Sequence, residues 1–228
     1  MRVEADLVMR QSHFANINLN GHDVPFPYHV VRQDLPAILE IWFRERELLR
    51  PVHDLFFASF YNRHLNIEFQ FQGLIQALES LHRRLHKGLY TSKTKYEKCK
   101  QGLTAAIPVD LSKDHRDALK NRIKYGNEYS LRKRLTLMGR QLNAQTRRFI
   151  DNDFKRFISS VVETRNYLTH FDSDLKAKAM STEDMVVATF SLRLLLTVYL
   201  FKRIGMRERA AVEVIKEHPR FQRPKIIP

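Results

Sequence analysis

Apolar residues recur at helical spacing along most of the chain after residue 33. The clearest stretch runs from about Asn66 to Lys87, where apolar positions are alternately four and three residues apart and so share one helix face. That face consists of Ile67, Phe71, Leu74, Leu78, Leu81 and Leu85. A second set at the same spacing lies about a quarter-turn away and consists of Glu79, His82, Arg83 and His86. The pattern predicts an amphipathic helix whose polar stripe is either solvated or the wall of a cleft.

Start and stop signals predict further helices around this one. Asp34 and Pro36 are typical of a helix N-terminus, and Pro51 is expected to end that helix and begin another. The remaining predicted helices cover about 95–103, two basic segments within 112–142 separated near Gly126, 152–168, 182–204 and 208–217. With only 7 Gly and 8 Pro, a sandwich of many strands and tight turns is disfavoured. The predicted fold class is all-α.

The periodic pattern divides the chain into three parts. Residues 1–33 have no sustained period and are rich in Asn, His and Pro, so they are expected to form a loosely structured N-terminal arm. Residues 34–218 are predicted to form one helical domain, followed by a C-terminal tail of residues 219–228. The longest apolar run, Phe190 to Phe201, contains Arg193 and is too short to cross a membrane, so a buried helix and no membrane partner are expected.

Positive charge is concentrated in the middle of the chain. The net charge is +14, and the segment from Leu81 to Arg156 contains 20 Lys and Arg against 7 Asp and Glu. Such a field attracts phosphates, and nucleic acid is the most common partner of a strongly basic protein. The densest basic positions, which we predict to bind RNA, are Arg132, Lys133, Arg134, Arg147 and Arg148. The alternative is a solvated surface that serves solubility.

Cysteine and histidine content argues against a metal centre. Cys99 is the only cysteine, which excludes an internal disulfide and a cysteine-based zinc site. His82 and His86 are four residues apart, but they lack the His-Glu-x-x-His arrangement of zinc hydrolases. No metal and no cofactor are therefore predicted. The first ten residues carry four charges and do not resemble a signal peptide, so a cytoplasmic location is expected.

The predicted helix at 152–168 contains one residue that breaks its apolar pattern. Arg165 lies in the middle of an arc of Phe, Ile, Val and Leu side chains. A guanidinium buried there without a partner would be costly, so it is expected to be paired, to extend to solvent, or to be kept for function.

Arg165 begins the string Arg165-Asn166-Tyr167-Leu168-Thr169-His170. Arg-x4-His is weak as a bare spacing, but Asn directly after the Arg, near a helix end, resembles the signature of the HEPN family of ribonucleases. The 66–87 helix, with Glu79 and Arg83, resembles the Glu-x3-Arg helix of many HEPN domains. The resemblance covers about residues 34–218 and is closest to the C-terminal HEPN domain of ApeA-like phage-defence proteins. It implies an antiparallel helical bundle with inserted basic helices, and a homodimer in which both motifs face one cleft.

The residue types fit metal-independent RNA cleavage, in which the 2′-hydroxyl attacks phosphorus and leaves a 2′,3′-cyclic phosphate and a 5′-hydroxyl. His170 would move protons, Arg165 would stabilise the phosphorane, and Asn166 would orient the imidazole or bind a phosphate oxygen. Arg165 and His170 lie about 140° apart on a straight helix. Their convergence requires that the helix end or distort near Thr169, or that a second subunit complete the site. Glu79 is expected to hold Arg165, with Arg83 adding a phosphate contact.

The resulting prediction is an endoribonuclease toxin that acts in phage defence or abortive infection, with RNA as substrate and an antitoxin or a regulatory domain or protein as a further partner. Two alternatives stay open. One is a non-catalytic HEPN module that binds RNA or a partner protein. The other is a basic helical DNA-binding regulator, although no helix-turn-helix supports it.

Overall fold

The computed structural model describes residues 31–62 and 65–222, apart from the Arg220 side chain, and in them the fold is all-α. The described residues form ten α-helices: α1 (Leu35–Tyr61), α2 (Ile67–Leu85), α3 (Lys93–Ala105), α4 (Lys113–Tyr125), α5 (Leu131–Arg140), α6 (Ala144–Ile150), α7 (Phe154–His170), α8 (Ser173–Lys176), α9 (Thr182–Arg203) and α10 (Glu208–Glu217). Within these ranges there is no strand, and one isolated bridge joins Leu89 to Glu128. Residues 1–30 of the expected N-terminal arm lie outside the described residues.

α1 passes through the position where the sequence predicted a break. Pro51 lies inside this 27-residue helix, so the expectation that it ends one helix and begins another is wrong. A proline inside a helix loses one backbone hydrogen bond and costs about 3 kcal/mol. Leu49, Val52 and Phe56, on both sides of the proline, are buried in the same core. Their shared burial outweighs the local cost because each such side chain contributes about 1.5–3 kcal/mol.

α2 and α9 form the centre of the bundle. α2 packs against both α1 and α9, and its predicted apolar face is confirmed, since Phe71, Leu74 and Leu78 are fully buried. α9 is the one described helix long and apolar enough to cross a membrane by composition, and 67% of its apolar window is buried inside the protein. The predicted buried helix is thus found there. Its Arg193 is accommodated by the Ser59 carbonyl and the Gln70 side chain.

The C-terminal part closes the core beside α1. α10 has the predicted bounds, and its Ala211 and Ile215 are fully buried. Phe221, which the sequence analysis assigned to the tail, follows in a 3-10 turn and is 4% exposed. The centroid of its ring lies 5.7 Å from the ring centroid of Phe60. Residues 223–228 of the tail lie outside the described residues.

α3 and α4, with the loop between them, form a helical hairpin of residues 93–125 that we call the basic hairpin. The two helices pack on each other, and neither contains a buried residue. The chain enters and leaves it through a neck in which Tyr90 N–H donates to the Asn127 carbonyl at 2.9 Å and Tyr129 N–H donates to the Gly88 carbonyl at 2.8 Å. The two basic helices expected around Gly126 are thus α4 and α5, with the turn between them at the neck.

The contact between α5 and α7 positions the C-terminal half of α7. The ring of Phe154 lies against Gly139, where a Cβ atom would come within 2.1 Å of it. At the other end of α5, the guanidinium of Arg132 donates to Ser159 at 2.5 Å and pairs with Glu163 at 3.4 Å. Close backbone approach at one end and a polar clamp at the other therefore fix how α7 lies on α5.

We expect Gly139→Ala to lower the free energy of unfolding by about 1–3 kcal/mol, because the added methyl group must displace the Phe154 ring. Urea unfolding of both forms measures this. Gly73→Ala in α2 is the matched control, since no neighbouring atom lies within 4 Å of its Cβ position. It should stabilise the protein by about 0.5–1 kcal/mol through helix propensity. Equal stability of the two variants would contradict the close contact.

Candidate functional site

α7 places the predicted catalytic residues on its last two turns. The helix begins after Asp153, whose side chain accepts from the Arg156 N–H, and it continues without a break through His170. Phe171 ends it in the left-handed region, with φ 50° and its N–H donating to the Tyr167 carbonyl. The motif therefore lies at the end of a regular helix, as the sequence predicted.

Asn166 and His170 lie on the face of α7 that is turned away from the core. At about 100° per residue, Ser159, Glu163, Asn166 and His170 fall within an arc of about 60°. His170 is exposed and Asn166 is half-buried. The opposite face packs inward through Val161 and Leu168. The imidazole is consequently open to solvent and to a substrate.

Arg165 lies on the core side of α7, in its last turns before the C-terminal end, and is half-buried. Its Nη1 donates to Asn166 Oδ1 at 3.3 Å. Among the described residues no carboxylate lies within 4.0 Å of its guanidinium. A partly desolvated guanidinium without a carboxylate partner can pair with an incoming anion. This arrangement suits a group that binds a phosphate.

The uninterrupted helix keeps Arg165 and His170 apart. Their side chains leave the helix about 140° from each other, with their Cα atoms about 7.5 Å apart along its axis. Of the two routes to convergence, a distortion near Thr169 is not found, because Thr169 is helical and its hydroxyl donates to the Arg165 carbonyl at 2.8 Å. Completion of the site by a second subunit stays a prediction. Neither of the two described cavities is lined by these residues; one lies between α1 and α9 and the other between α1 and α2.

Glu79 does not hold Arg165, so that expectation is wrong. Its carboxylate accepts from Arg83 Nε at 3.0 Å, one helical turn along α2. Arg83 also pairs with Glu128 at the neck of the basic hairpin, and the hydrogen bond to Glu128 is the main reason that the pKa of Arg83 is raised. Two carboxylates therefore neutralise Arg83, which disfavours the phosphate contact expected for it.

Comparison with known families adds to this geometry. The family model described as Apea-like HEPN matches residues 73–210, more than half of the chain. The chain belongs to the Apea-like HEPN family. The match begins within α2 and ends within α10, so it spans the basic hairpin and the whole of α7. No curated protein and no solved structure gives a significant match.

Membership of this family confirms the expected all-α HEPN fold. HEPN domains are generally ribonucleases, so the family indicates an RNA-related, ribonuclease-type function in defence. The roles of Arg165, Asn166 and His170 in this chain stay predictions.

Arg134 of this HEPN domain does not have the role predicted for it, because its side chain is only 1% exposed. Its Nε donates to the Tyr129 carbonyl at 3.1 Å, and its Nη1 lies 3.1 Å from His82 Nδ1. Because guanidinium nitrogens only donate, His82 Nδ1 must accept and be unprotonated. The contact joins α2 to α5 beneath Gly88, where a Cβ atom would come within 2.5 Å of Nη1.

His82 is held in its neutral form by these surroundings. Burial is the main cause, and the positive charges of His86, Arg134 and Arg83 add to it, which together lower the pKa of His82 to about 4. Its ring centroid lies 4.8 Å from that of His86. A metal cation at this histidine pair would meet the guanidinium already at His82 Nδ1, so the pair is poorly suited to bind metal.

The other basic residues predicted to bind RNA differ in their surroundings. Arg132 and Arg148 are exposed, and Arg132 is paired with Glu163 as described above. Lys133 is half-buried, with Nζ 5.7 Å from the Tyr129 ring centroid. Arg147 donates to the Gly139 and Leu142 carbonyls at the end of α5, so its side chain is used within the fold.

Sequence reasoning missed the buried pair of His82 and Arg134 and the contact of Glu163 with Arg132. A helical wheel could have found Glu163, since it lies four residues after Ser159 and three before Asn166 on one stripe. The His82–Arg134 contact joins residues 52 positions apart. No local pattern in the sequence indicates it.

We expect the stability of the protein to fall as the pH is lowered from about 6.5 to about 4. The unfolded chain binds a proton at His82 near pH 6.5, whereas the folded state resists it until about pH 4. Between pH 7 and pH 4.5 this one group should remove about 2.5 kcal/mol of stability.

Urea unfolding of wild type and His82→Asn at the two pH values tests this. The Asn carbonyl can still accept from Arg134 but does not titrate. The loss of unfolding free energy between the two pH values should therefore be smaller in this variant by about 2.5 kcal/mol. His115→Asn, at an exposed histidine of α4, is the control and should leave it unchanged. An identical pH dependence in wild type and His82→Asn would refute the assignment.

Proposed function

We propose that this HEPN domain is a metal-independent endoribonuclease that cleaves RNA through attack of the 2′-hydroxyl on the adjacent phosphorus. His170 transfers protons, since the attacking 2′-hydroxyl loses one and the departing 5′-oxygen gains one. Arg165 stabilises the charge of the phosphorane, and Asn166 orients the imidazole or binds a phosphate oxygen. The products are a 2′,3′-cyclic phosphate and a 5′-hydroxyl. RNA is the substrate because DNA lacks the attacking hydroxyl.

The observation that carries the proposal is that Arg165 has no carboxylate partner among the described residues. This guanidinium is half-buried and has no such partner among the described residues, whereas Arg83 of α2 and Arg132 of α5 are paired with carboxylates. Leaving one desolvated cation unpaired costs stability. Binding of an anionic oxygen would recover that free energy, and it does so most strongly when the oxygen gains charge in the transition state.

We further propose that two copies of the chain build each site. Arg165 and His170 point about 140° apart from one straight helix, so a single phosphate is reached more readily by Arg165 of one copy and His170 of another. The exposed face of Asn166 and His170 beside the exposed Phe171 ring is the surface that supports this arrangement. The active form is accordingly a homodimer.

The biological role proposed is abortive infection, in which cleavage of cellular RNA stops growth of an infected cell. Its support is the family, together with a basic surface that binds polyanions without regard to sequence.

We expect His170→Ala and Arg165→Ala each to slow cleavage of a short unstructured RNA by about 100-fold or more. The rate should be unchanged by a chelator, and the products should accept a phosphate at their 5′ ends without prior phosphatase treatment. Arg209→Ala removes an exposed arginine of α10, outside the motif and outside the predicted RNA-binding positions, and is the matched control, with a rate near wild type. RNA binding without cleavage by wild type would instead favour the non-catalytic module.

Mixing the two inactive variants tests the shared site. A dimer of one Arg165→Ala chain and one His170→Ala chain contains one composite site with both residues intact. Co-refolding the two variants should therefore restore cleavage that neither shows alone. If the mixture stays as inactive as its components, each site is built within one chain.

A further inference from the structure

The two helices of the basic hairpin contain no residue buried in the core, yet specific contacts join the hairpin to the rest of the protein. Within it, the Tyr96 hydroxyl donates to the Ile123 carbonyl, and Leu119 and Ile123 are half-buried between the helices. Residues 93–125 contain nine Lys and Arg against four Asp and Glu. A surface of this kind is not needed for stability, so its charge is available for an interaction.

The neck fixes the direction of the basic hairpin. Beyond the two backbone hydrogen bonds of the neck, the buried Asn127 side chain accepts from Thr91 N–H and donates to the Thr91 carbonyl, both at 3.0 Å. Glu128 adds the ion pair with Arg83 of α2. Backbone, side-chain and ionic contacts thus hold the two segments of the neck together and join the basic hairpin to α2.

One face of α4 bears a row of four cations, with the carboxylate of Asp117 beside them and Arg116 Nη1 donating to the Val109 carbonyl at 3.3 Å. At about 100° per residue, Lys113, Arg116, Lys120 and Lys124 fall within an arc of about 80°, and they span about 16 Å of helix. Arg116 is half-buried and the three lysines are exposed. Among the described residues, Lys120 alone of the four has a carboxylate within ion-pair distance, that of Asp117 at 3.5 Å. An exposed pair of this kind contributes little, so the row remains available to a polyanion.

The chemistry of this row favours a base-paired partner. A straight helix with regularly spaced cations fits phosphates that are held in fixed positions, as they are along a duplex. Unpaired RNA is bound mainly by stacking of bases on aromatic rings. The arc of the row contains no aromatic residue, and the exposed Tyr125 lies outside it.

We propose that the basic face of α4 binds the phosphate backbone of a base-paired segment of the RNA substrate, away from the scissile phosphate at α7. This inference rests on the proposed ribonuclease function and adds the substrate class: RNA with a stem next to an unpaired segment. The stem is held by the basic hairpin, and the unpaired segment reaches Arg165 and His170.

The test compares two triple variants with the same change in charge. Lys113→Glu, Lys120→Glu and Lys124→Glu reverse the row, whereas Lys93→Glu, Lys95→Glu and Lys98→Glu reverse lysines of α3 that do not share one face. Each set is made in full-length protein that also carries His170→Ala, so that binding is measured without cleavage. The probes are a fluorescent stem-loop RNA with a stem of about 16 base pairs, an unstructured RNA of equal length and a duplex DNA of that stem length.

The α4 set should weaken binding of the stem-loop at least about tenfold and lower the dependence of log K on log salt by about 2.7, since three phosphate contacts are lost. The α3 set should weaken it less than about threefold. Equal losses in the two sets, or equal losses on the stem-loop and the unstructured RNA, would overturn the inference. Equally tight, row-dependent binding of duplex DNA would also overturn it. If the glutamates prevent folding, Gln at the same three positions removes the charges without reversing them.

Cleavage separates this inference from the function on which it rests. With His170 intact, the α4 set should cleave the unstructured RNA at the wild-type rate and lose activity on the stem-loop at limiting concentration. If wild type cleaves neither RNA, the ribonuclease proposal fails while the binding data still stand. If wild type cleaves both and the α4 set matches it on each, the stem-binding inference fails alone.

Discussion

A straight α-helix turns its side chains by about 100° per residue, and this constraint governs α7. The helix buries Val161 and Leu168 in the core and packs on α5, which fixes its rotation. Once the rotation is fixed, Asn166 and His170 face outward and Arg165 lies on the core side. Every chemical property attributed to the motif follows from that division. This division is the reason that the proposed function uses a second copy of the chain.

Charge burial follows a consistent rule in this strongly basic protein. Arg134 and Arg193 extend into the interior, but each is met by neutral acceptors: a backbone carbonyl and an imidazole in one case, a carbonyl and an amide in the other. Such contacts compensate part of the desolvation cost of a guanidinium. The pKa of His82 in α2 is lowered mainly by burial, and the Arg134 guanidinium adds to this, since a second proton on the ring would place two cations in contact.

The fold was largely predictable because it depends on local periodicity. Apolar residues recur every three or four positions from Ile67 to Leu85, and the structure places most of these side chains in the core. The prediction at Pro51 is wrong for a physical reason. The sequence shows that a proline removes a helical hydrogen bond, but it does not show that contacts with other helices bury Leu49 and Phe56. The same limit applies to Arg134, because a dense basic run says nothing about which of its members turns inward.

The candidate site was predictable only as far as one helix defines it. The Arg-Asn-x3-His string and its surface position follow from the sequence alone. The partner of Glu79 does not, since an Arg four residues along the same helix competes with any distant cation for that carboxylate. A pair within one helix is favoured over a distant pair because little chain entropy opposes it.

The neck at Asn127 has an evolutionary consequence. Everything beyond it, from Lys93 to Tyr125, can change in length or composition without opening a void in the interior, because no side chain of those two helices fills one. The two ends of such an insertion are already tied together, so the loop-closure cost of a longer one grows slowly. Natural relatives can thus diversify at this appendage while the bundle beneath it stays constant.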